Sequence, residues 1–162
     1  MSRQLFGREV IYTDTKNITR DNVVAILNDI LPVFNKNSSD IQYLYNYRRG
    51  KQPIWERVKT FRDDICNKVV VNRANEIAEF KVGYLIGEPV QYVNRGSENT
   101  ADDVSMLNSI MFGENKAAKD KELVDWAVTG GVGYRLVLPK ENYANTDGEC
   151  VDIYTLDPRS TF

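Results

Sequence analysis

Asn72–Tyr92, NRANEIAEFKVGYLIGEPVQY, is the stretch whose reading decides the fold. Val71, Ala74, Ala78, Val82 and Leu85 recur at steps of three and four, which lines one helix face with apolar side chains and leaves Asn72, Asn75, Glu76 and Glu79 on other faces. The spacing predicts a long helix packed on one side. Gly87 offers a residue free to take positive φ just past the last turn, and Pro89 cannot continue a helix. The chain is therefore expected to leave extended, as a strand over Val90–Val93. Gly83 lies inside the helix, where glycine costs about 1 kcal/mol relative to alanine, and so predicts a bend or a close approach by another backbone.

Working towards the N-terminus, Lys51 to Asn67 has Pro53 and no clean period, and reads as an irregular connection that must pack on something or be used for something. Before it, Val23, Leu27, Ile30 and Phe34 repeat at helical spacing, with Thr19 placed to cap and Asp21 placed to suit the N-terminal dipole. Pro32 is expected to kink or fray this helix and Asn35–Ser38 to end it. A second helix from Ser38 or Ser39, including Ile41, Leu44 and Tyr45, is expected to stop at Gly50. Residues 1–18 read as an N-terminal arm in which Glu9–Tyr12 adds a short strand.

Towards the C-terminus, Thr100 and Asp103 have capping-box spacing ahead of a short helix whose buried face is Val104, Leu107, Ile110 and Met111. Another helix is expected from near Ala117, using Leu123, Trp126 and Ala127 and ending at Gly130-Gly131. Tyr134, Leu136 and Leu138 alternate with Arg135 and Val137, and Cys150–Thr155 offers a partner strand for a hairpin. The fold class is α+β: several amphipathic helices with a small antiparallel strand pair, residues 19–162 forming a single domain.

Composition narrows the chemistry. The 162 residues are 42 % hydrophobic and 27 % charged, ordinary values for one globular domain, and no apolar run approaches a bilayer span, so no membrane partner is expected. Histidine is absent, which removes Ser-His-Asp and Cys-His nucleophiles and HExxH zinc sites. Two cysteines, Cys66 and Cys150, are too few for a thiolate zinc site and read as reduced thiols. Asp63-Asp64 and Asp102-Asp103 are the remaining candidates for a magnesium-dependent nuclease, although adjacent residues on a helix point about 100° apart. Gly130-Gly131-Val132-Gly133 lacks the preceding strand and following Lys-Ser/Thr of a phosphate loop. Tyr43, Tyr45 and Tyr47 stand beside Arg48 and Arg49, but residues two apart on a helix do not form one stacking platform.

The net charge of −2 is unevenly placed. Arg48–Arg73 holds eight basic and three acidic residues, whereas Ser97–Asp125 holds three basic and seven acidic ones. Such polarity suits contact between unlike patches of neighbouring copies.

Two words in the sequence carry a resemblance. Tyr45-Asn-Tyr-Arg-Arg-Gly-Lys-Gln-Pro-Ile54 resembles the tyrosine-rich, glycine-containing turn of the N-terminal region of portal proteins from tailed bacteriophages. Asn72-Arg73, Gly83-Tyr84-Leu85-Ile86-Gly87, Pro89-Val90 and Tyr92 are similar to the next signature of that family, in the same order. Asn115, the helix with Leu123 and Trp126, Gly130, the strand around Tyr134 and Asp157-Pro158 follow the pattern, so the resemblance covers most of the chain. The positions it marks as structural are Tyr47, Gly50, Ile54, Asn72, Gly83, Tyr84, Gly87, Pro89, Asn115, Gly130 and Pro158.

The resemblance implies a ring of identical subunits, usually a dodecamer, at one vertex of the viral head. Double-stranded DNA passes through it during packaging and ejection, and the packaging ATPase (terminase), scaffold or capsid and head-completion proteins dock on it, mostly through regions absent from this sequence. Hydrolysis belongs to the motor, so neither enzymatic activity nor a cofactor is implied. The localisation implied is the virion, after assembly in the host bacterial cytoplasm. The similar region builds part of the outer wing; stem, clip and crown come later in the family and are absent from this sequence, which therefore reads as an N-terminal portal fragment or truncated relative. Arg48, Arg49, Lys51 and Arg57 are the candidates for subunit or DNA contact. The alternative is a nucleic-acid-binding module using segment 48–73.

Overall fold

The computed structural model describes residues 9–10, 14–62, 64–96, 101–140 and 151–161. Among them the chain forms α1 (Val23–Arg48), a short 3-10 helix (Pro53–Glu56), α2 (Arg73–Leu85), α3 (Ala101–Gly113), α4 (Lys116–Gly130), β1 (Tyr134–Pro139) and β2 (Val151–Leu156). The fold class is α+β, as the periodicities predict.

Helix α1 corrects the expectation of two helices: it runs unbroken through Pro32 and the polar run after it. Proline removes one backbone donor, but the next turns are fastened from outside. Asn37 is buried, its Oδ1 accepting the Glu9 N–H at 3.0 Å and its Nδ2 donating to the Glu9 carbonyl at 2.9 Å. Ser38 Oγ donates to the Arg159 carbonyl at 2.6 Å. The residues that read as a stop are a docking strip. Thr19 is not the cap; its own N–H donates to Asn22 Oδ1 at 2.7 Å, and Asn22 precedes the first helical residue. At the other end Gly50 takes φ +81°, and the Lys51 N–H reaches back to the Asn46 carbonyl at 2.9 Å. Of the expected strand at 9–12, Glu9 and Val10 are not in a strand, and residues 11 and 12 lie outside the described residues.

Helix α2 starts where the sequence places it. Asn72 Oδ1 accepts the Asn75 N–H, and Ala78 and Val82 are buried, with α2 lying against α4. The apolar stripe is narrower than predicted, since Val71 and Leu85 at its ends are exposed. Gly83 meets no other element: among the described residues, a Cβ there would find no atom within 4 Å beyond its own helix backbone and chain neighbours. Gly87 does not take positive φ; it is needed because a Cβ would lie 2.7 Å from the Gly83 carbonyl oxygen. Val90–Val93 forms no strand. The Asn108 side chain instead serves both polar groups of Tyr92, accepting its N–H at 3.1 Å and donating to its carbonyl at 3.0 Å.

Asn115 makes the corner between α3 and α4 at φ +51°, a conformation asparagine tolerates better than most residues. Thr100 lies outside the described residues; Val104, Leu107, Ile110 and Met111 are half-buried. Helix α4 ends at Gly131, φ +80°, whose N–H reaches the Ala127 carbonyl at 2.9 Å. Gly130 is the contact point of α4 with α1, since a Cβ there would stand 3.0 Å from Ile41 Cγ2. The predicted hairpin forms, antiparallel from Tyr134↔Leu156 to Pro139↔Val151. Among those described, the buried apolar residues are Ile26, Ile41, Ala78, Val82 and Ile153, with Gly130 and Pro158 buried beside them, and many more large apolar side chains are exposed than buried.

Candidate functional site

The α1, α2 and α4 junction is built on Arg48 and Asn72. Arg48 Nη1 pairs with Asp125 Oδ1 at 2.7 Å and donates to Thr129 Oγ1 at 2.6 Å, while its Nε donates to Asn75 Oδ1 at 3.2 Å. Asn72 works at both helix ends at once: Nδ2 donates to the Arg48 carbonyl at 2.7 Å, satisfying an orphan acceptor of α1, and Oδ1 caps α2. With Tyr45 and Arg49 these side chains line an open cleft of about 340 Å³. Arg49 is exposed and lies 5.6 Å over the Tyr45 ring. Lys51 and Arg57 are exposed on the segment beyond. The four basic residues grouped by sequence thus separate: Arg48 has its guanidinium committed inside the chain, and Arg49, Lys51 and Arg57 face outward.

A second cluster fastens α4 to the hairpin. Asp120 holds Lys116, one turn earlier, and Arg135 from β1. Burial alone would push the Asp120 carboxyl up, but hydrogen bonds and charge from Lys116 and Arg135 outweigh it and hold the group below its ordinary range. Glu114 is also held low, first by Lys119 at 2.9 Å, against burial, and then by the Ile153 N–H at 3.2 Å and Lys140 at 3.4 Å. Thr155 Oγ1 donates to the Lys119 carbonyl at 3.1 Å.

The third cluster is the turn after β2. Arg159 pairs with Asp157, which lowers the Asp157 carboxyl and raises the guanidinium, and Arg159 Nη1 donates to Gln42 Oε1 at 2.9 Å. The same guanidinium lies 4.7 Å from the Tyr45 ring centre and 5.2 Å from that of Trp126, two rings stacked at 5.3 Å. Pro158 is buried beneath this turn.

The sequence-predicted motif residues do not converge on one spot. Gly50 and Asn72 meet at the α1 end, where the Gly50 carbonyl accepts from Trp55 Nε1 at 3.1 Å, and Ile54 lies in the 3-10 helix next to them. Tyr47 packs on Tyr43 at 6.2 Å, away from Tyr45, so the tyrosines form no common platform. Gly83, Tyr84, Gly87 and Pro89 occupy the far end of α2, with Tyr84 exposed and stacked on Phe80 at 6.3 Å. Asn115, Gly130 and Pro158 each shape a junction. Sequence reasoning missed Glu114, Asp120 and Arg159. The Lys116–Asp120 spacing of four was visible, but nothing local announces Arg159, whose partner Gln42 is 117 positions away.

Among the described residues, no group of three or more Asp, Glu or Cys side chains is arranged to hold a metal ion; Asp102 and Asp103 are exposed on α3, and Asp63 lies outside the described residues. No helix among them is long and apolar enough to cross a membrane. The carboxylates whose titration is displaced are displaced downward by cations, the opposite of a general acid tuned towards neutral pH. The three clusters define a scaffold in which polar side chains join helix to helix and helix to hairpin. The family model described as "Phage portal protein, SPP1 Gp6-like" matches residues 27–162, and the chain belongs to this family of phage portal proteins. The family is structural rather than enzymatic. No curated protein and no solved structure matches the chain.

Proposed function

We propose that the protein is a structural subunit of a portal ring at one vertex of a phage head, through which double-stranded DNA is packaged and ejected. The observation that carries this reading is the family match over residues 27–162. The surface supports it: Phe61, Phe80, Tyr84 and Phe112 are all more than 70 % exposed, large rings that neighbouring copies can cover. In the assembled ring each chain acts as a wedge, rigid through its polar clusters and adhesive through its apolar surfaces. The packaging ATPase, scaffold or capsid and head-completion proteins are its proposed partners, and DNA translocation is driven by the motor. Sedimentation velocity and electron microscopy of the purified protein test this: self-association into ring-shaped oligomers without a complete channel is expected, and a monomer at every concentration tried contradicts it.

The outward-facing Arg49, Lys51 and Arg57 favour a second reading, direct contact with duplex DNA. Replacing all three by glutamate is expected to weaken packaging and to flatten the salt dependence of duplex binding. Unchanged binding and packaging would remove DNA contact from this strip.

A further inference from the structure

Residues 55–62 form a strap with no secondary structure beyond Glu56, yet the strap is held in place. Trp55 Nε1 donates to the Gly50 carbonyl at 3.1 Å, Lys68 Nζ to the Trp55 carbonyl at 2.6 Å, and Lys59 Nζ to the Ile65 carbonyl at 2.7 Å. These bonds fix a surface that buries almost nothing: Val58 is 84 % and Phe61 83 % exposed. Within the strap Arg57, Lys59 and Arg62 stand against Glu56, and Lys68 bonds to it from beyond, while Asp63 and Asp64 follow Arg62 in sequence. A basic rim about an ordered apolar tip suits a partner that is apolar at its centre and acidic at its edge, and a preformed tip lowers the ordering cost of docking.

Among the described residues the outer face of α3 is such a surface. The outer face of α3 presents Asp102, Met106, Ser109 and Phe112 at steps of four and three, with Asp103 beside them. Met106 is 59 % and Phe112 89 % exposed, and α3 contains no Lys or Arg. The exposed apolar face of α2, Ile77, Phe80 and Tyr84, is of mixed charge, with Arg73 and Lys81 against Glu76 and Glu79 and with Arg73 paired to Glu76, so it offers the strap less net attraction than α3 does. Bare duplex DNA fits the strap less well, because Val58 and Phe61 occupy its most prominent positions.

We propose that the strap of residues 55–62 docks on the outer face of α3 of a second copy of this chain. The contact joins unlike surfaces, so it is heterologous and propagates around a ring. This inference rests on the ring reading and adds the two surfaces that meet.

Charge reversal on each side tests it in the intact protein, with helicity by circular dichroism as the control. One variant carries Arg57→Glu and Arg62→Glu, and therefore two acidic surfaces; the other carries Asp102→Lys and Asp103→Lys, and therefore two basic ones. Each alone is expected to lose at least about tenfold in assembled fraction by native mass spectrometry. Mixed in equal amounts they are expected to recover assembly with the two variants alternating, because every contact is again between unlike charges. A misfolded variant cannot be recovered by mixing. Wild-type-like assembly of either variant alone, or no recovery in the mixture, overturns the contact while leaving the ring reading standing. A wild-type protein that never assembles overturns both. Loss of duplex binding by the first variant with its assembly intact assigns the strap to DNA and also overturns the contact.

Discussion

Around α4 and the hairpin, Glu114, Asp120 and Arg159 each hold two or more partners, at least one of them from another element, and Ile41 and Ile153 are buried. Along the strap and the outer faces of α2 and α3, large apolar side chains stand in solvent, with little but lysine-to-carbonyl bonds tying the strap down. The first region satisfies its own polar groups; the second leaves apolar area uncovered at about 25 cal/mol per Å² that a neighbour can recover. One chain thus combines a part stabilised by folding with a part stabilised by assembly, which suits a subunit whose working form is a ring.

The sharpest way to break this contrast is at Asp120. Asp120→Ala removes the shared partner of Lys116 and Arg135, leaves two cations partly buried, and is expected to cost about 3 kcal/mol in urea unfolding of the monomer. A loss below about 1 kcal/mol would mean that the hairpin is held by something else. Gly130→Leu drives a side chain into Ile41 at the α1–α4 crossing and is expected to cost about 2 kcal/mol by the same measurement.

Gly83 lies in the other region and predicts the opposite sign. Among the described residues a methyl group there meets nothing beyond its own helix, so Gly83→Ala should stabilise the monomer by about 1 kcal/mol through helix propensity. If a neighbouring copy packs closely at this point, as glycine inside a helix first suggests, the same variant assembles worse despite folding better. A more stable variant that assembles normally removes the close-approach reading altogether.

The smallest of these effects concerns pH. Glu114, Asp120 and Asp157 have folded-state values below their ordinary 4.5, 3.8 and 3.8, so the folded state binds protons less readily than the unfolded chain. Their contribution is full above about pH 5 and is lost as pH falls through these ordinary values and then through the lower folded ones. Melting temperature should fall with acidification in that window, less steeply in Asp120→Asn than in the wild type. An equal slope in both would remove Asp120 from the account.

How much of this was legible in the sequence follows from how local each signal is. The starts of α2 and α4, the glycine stop of α1 at Gly50 and the pairing of β1 with β2 depend on neighbours within a few residues, and periodicity and turn chemistry reveal them. Helix α1 continues through Pro32 and Asn35–Ser38 because Asn37 and Ser38 find partners at Glu9 and Arg159, which no local window contains. The strand expected at Val90–Val93 fails because a side chain, Asn108, takes the hydrogen bonds a neighbouring strand would have supplied. At the candidate site the basic run was visible, but the withdrawal of Arg48 into a cluster with Asp125 and Thr129 depends on α4 crossing α1, a tertiary event.

Hydrogen exchange compared between monomer and assembled protein tests most directly the claim that one region is completed by folding and the other by assembly. Amides of residues 55–62 and of α3 are expected to slow at least about tenfold on assembly, while those of α4 and the hairpin change little. Protection that rises at the hairpin and α4 while the strap and α3 exchange as before would contradict the account.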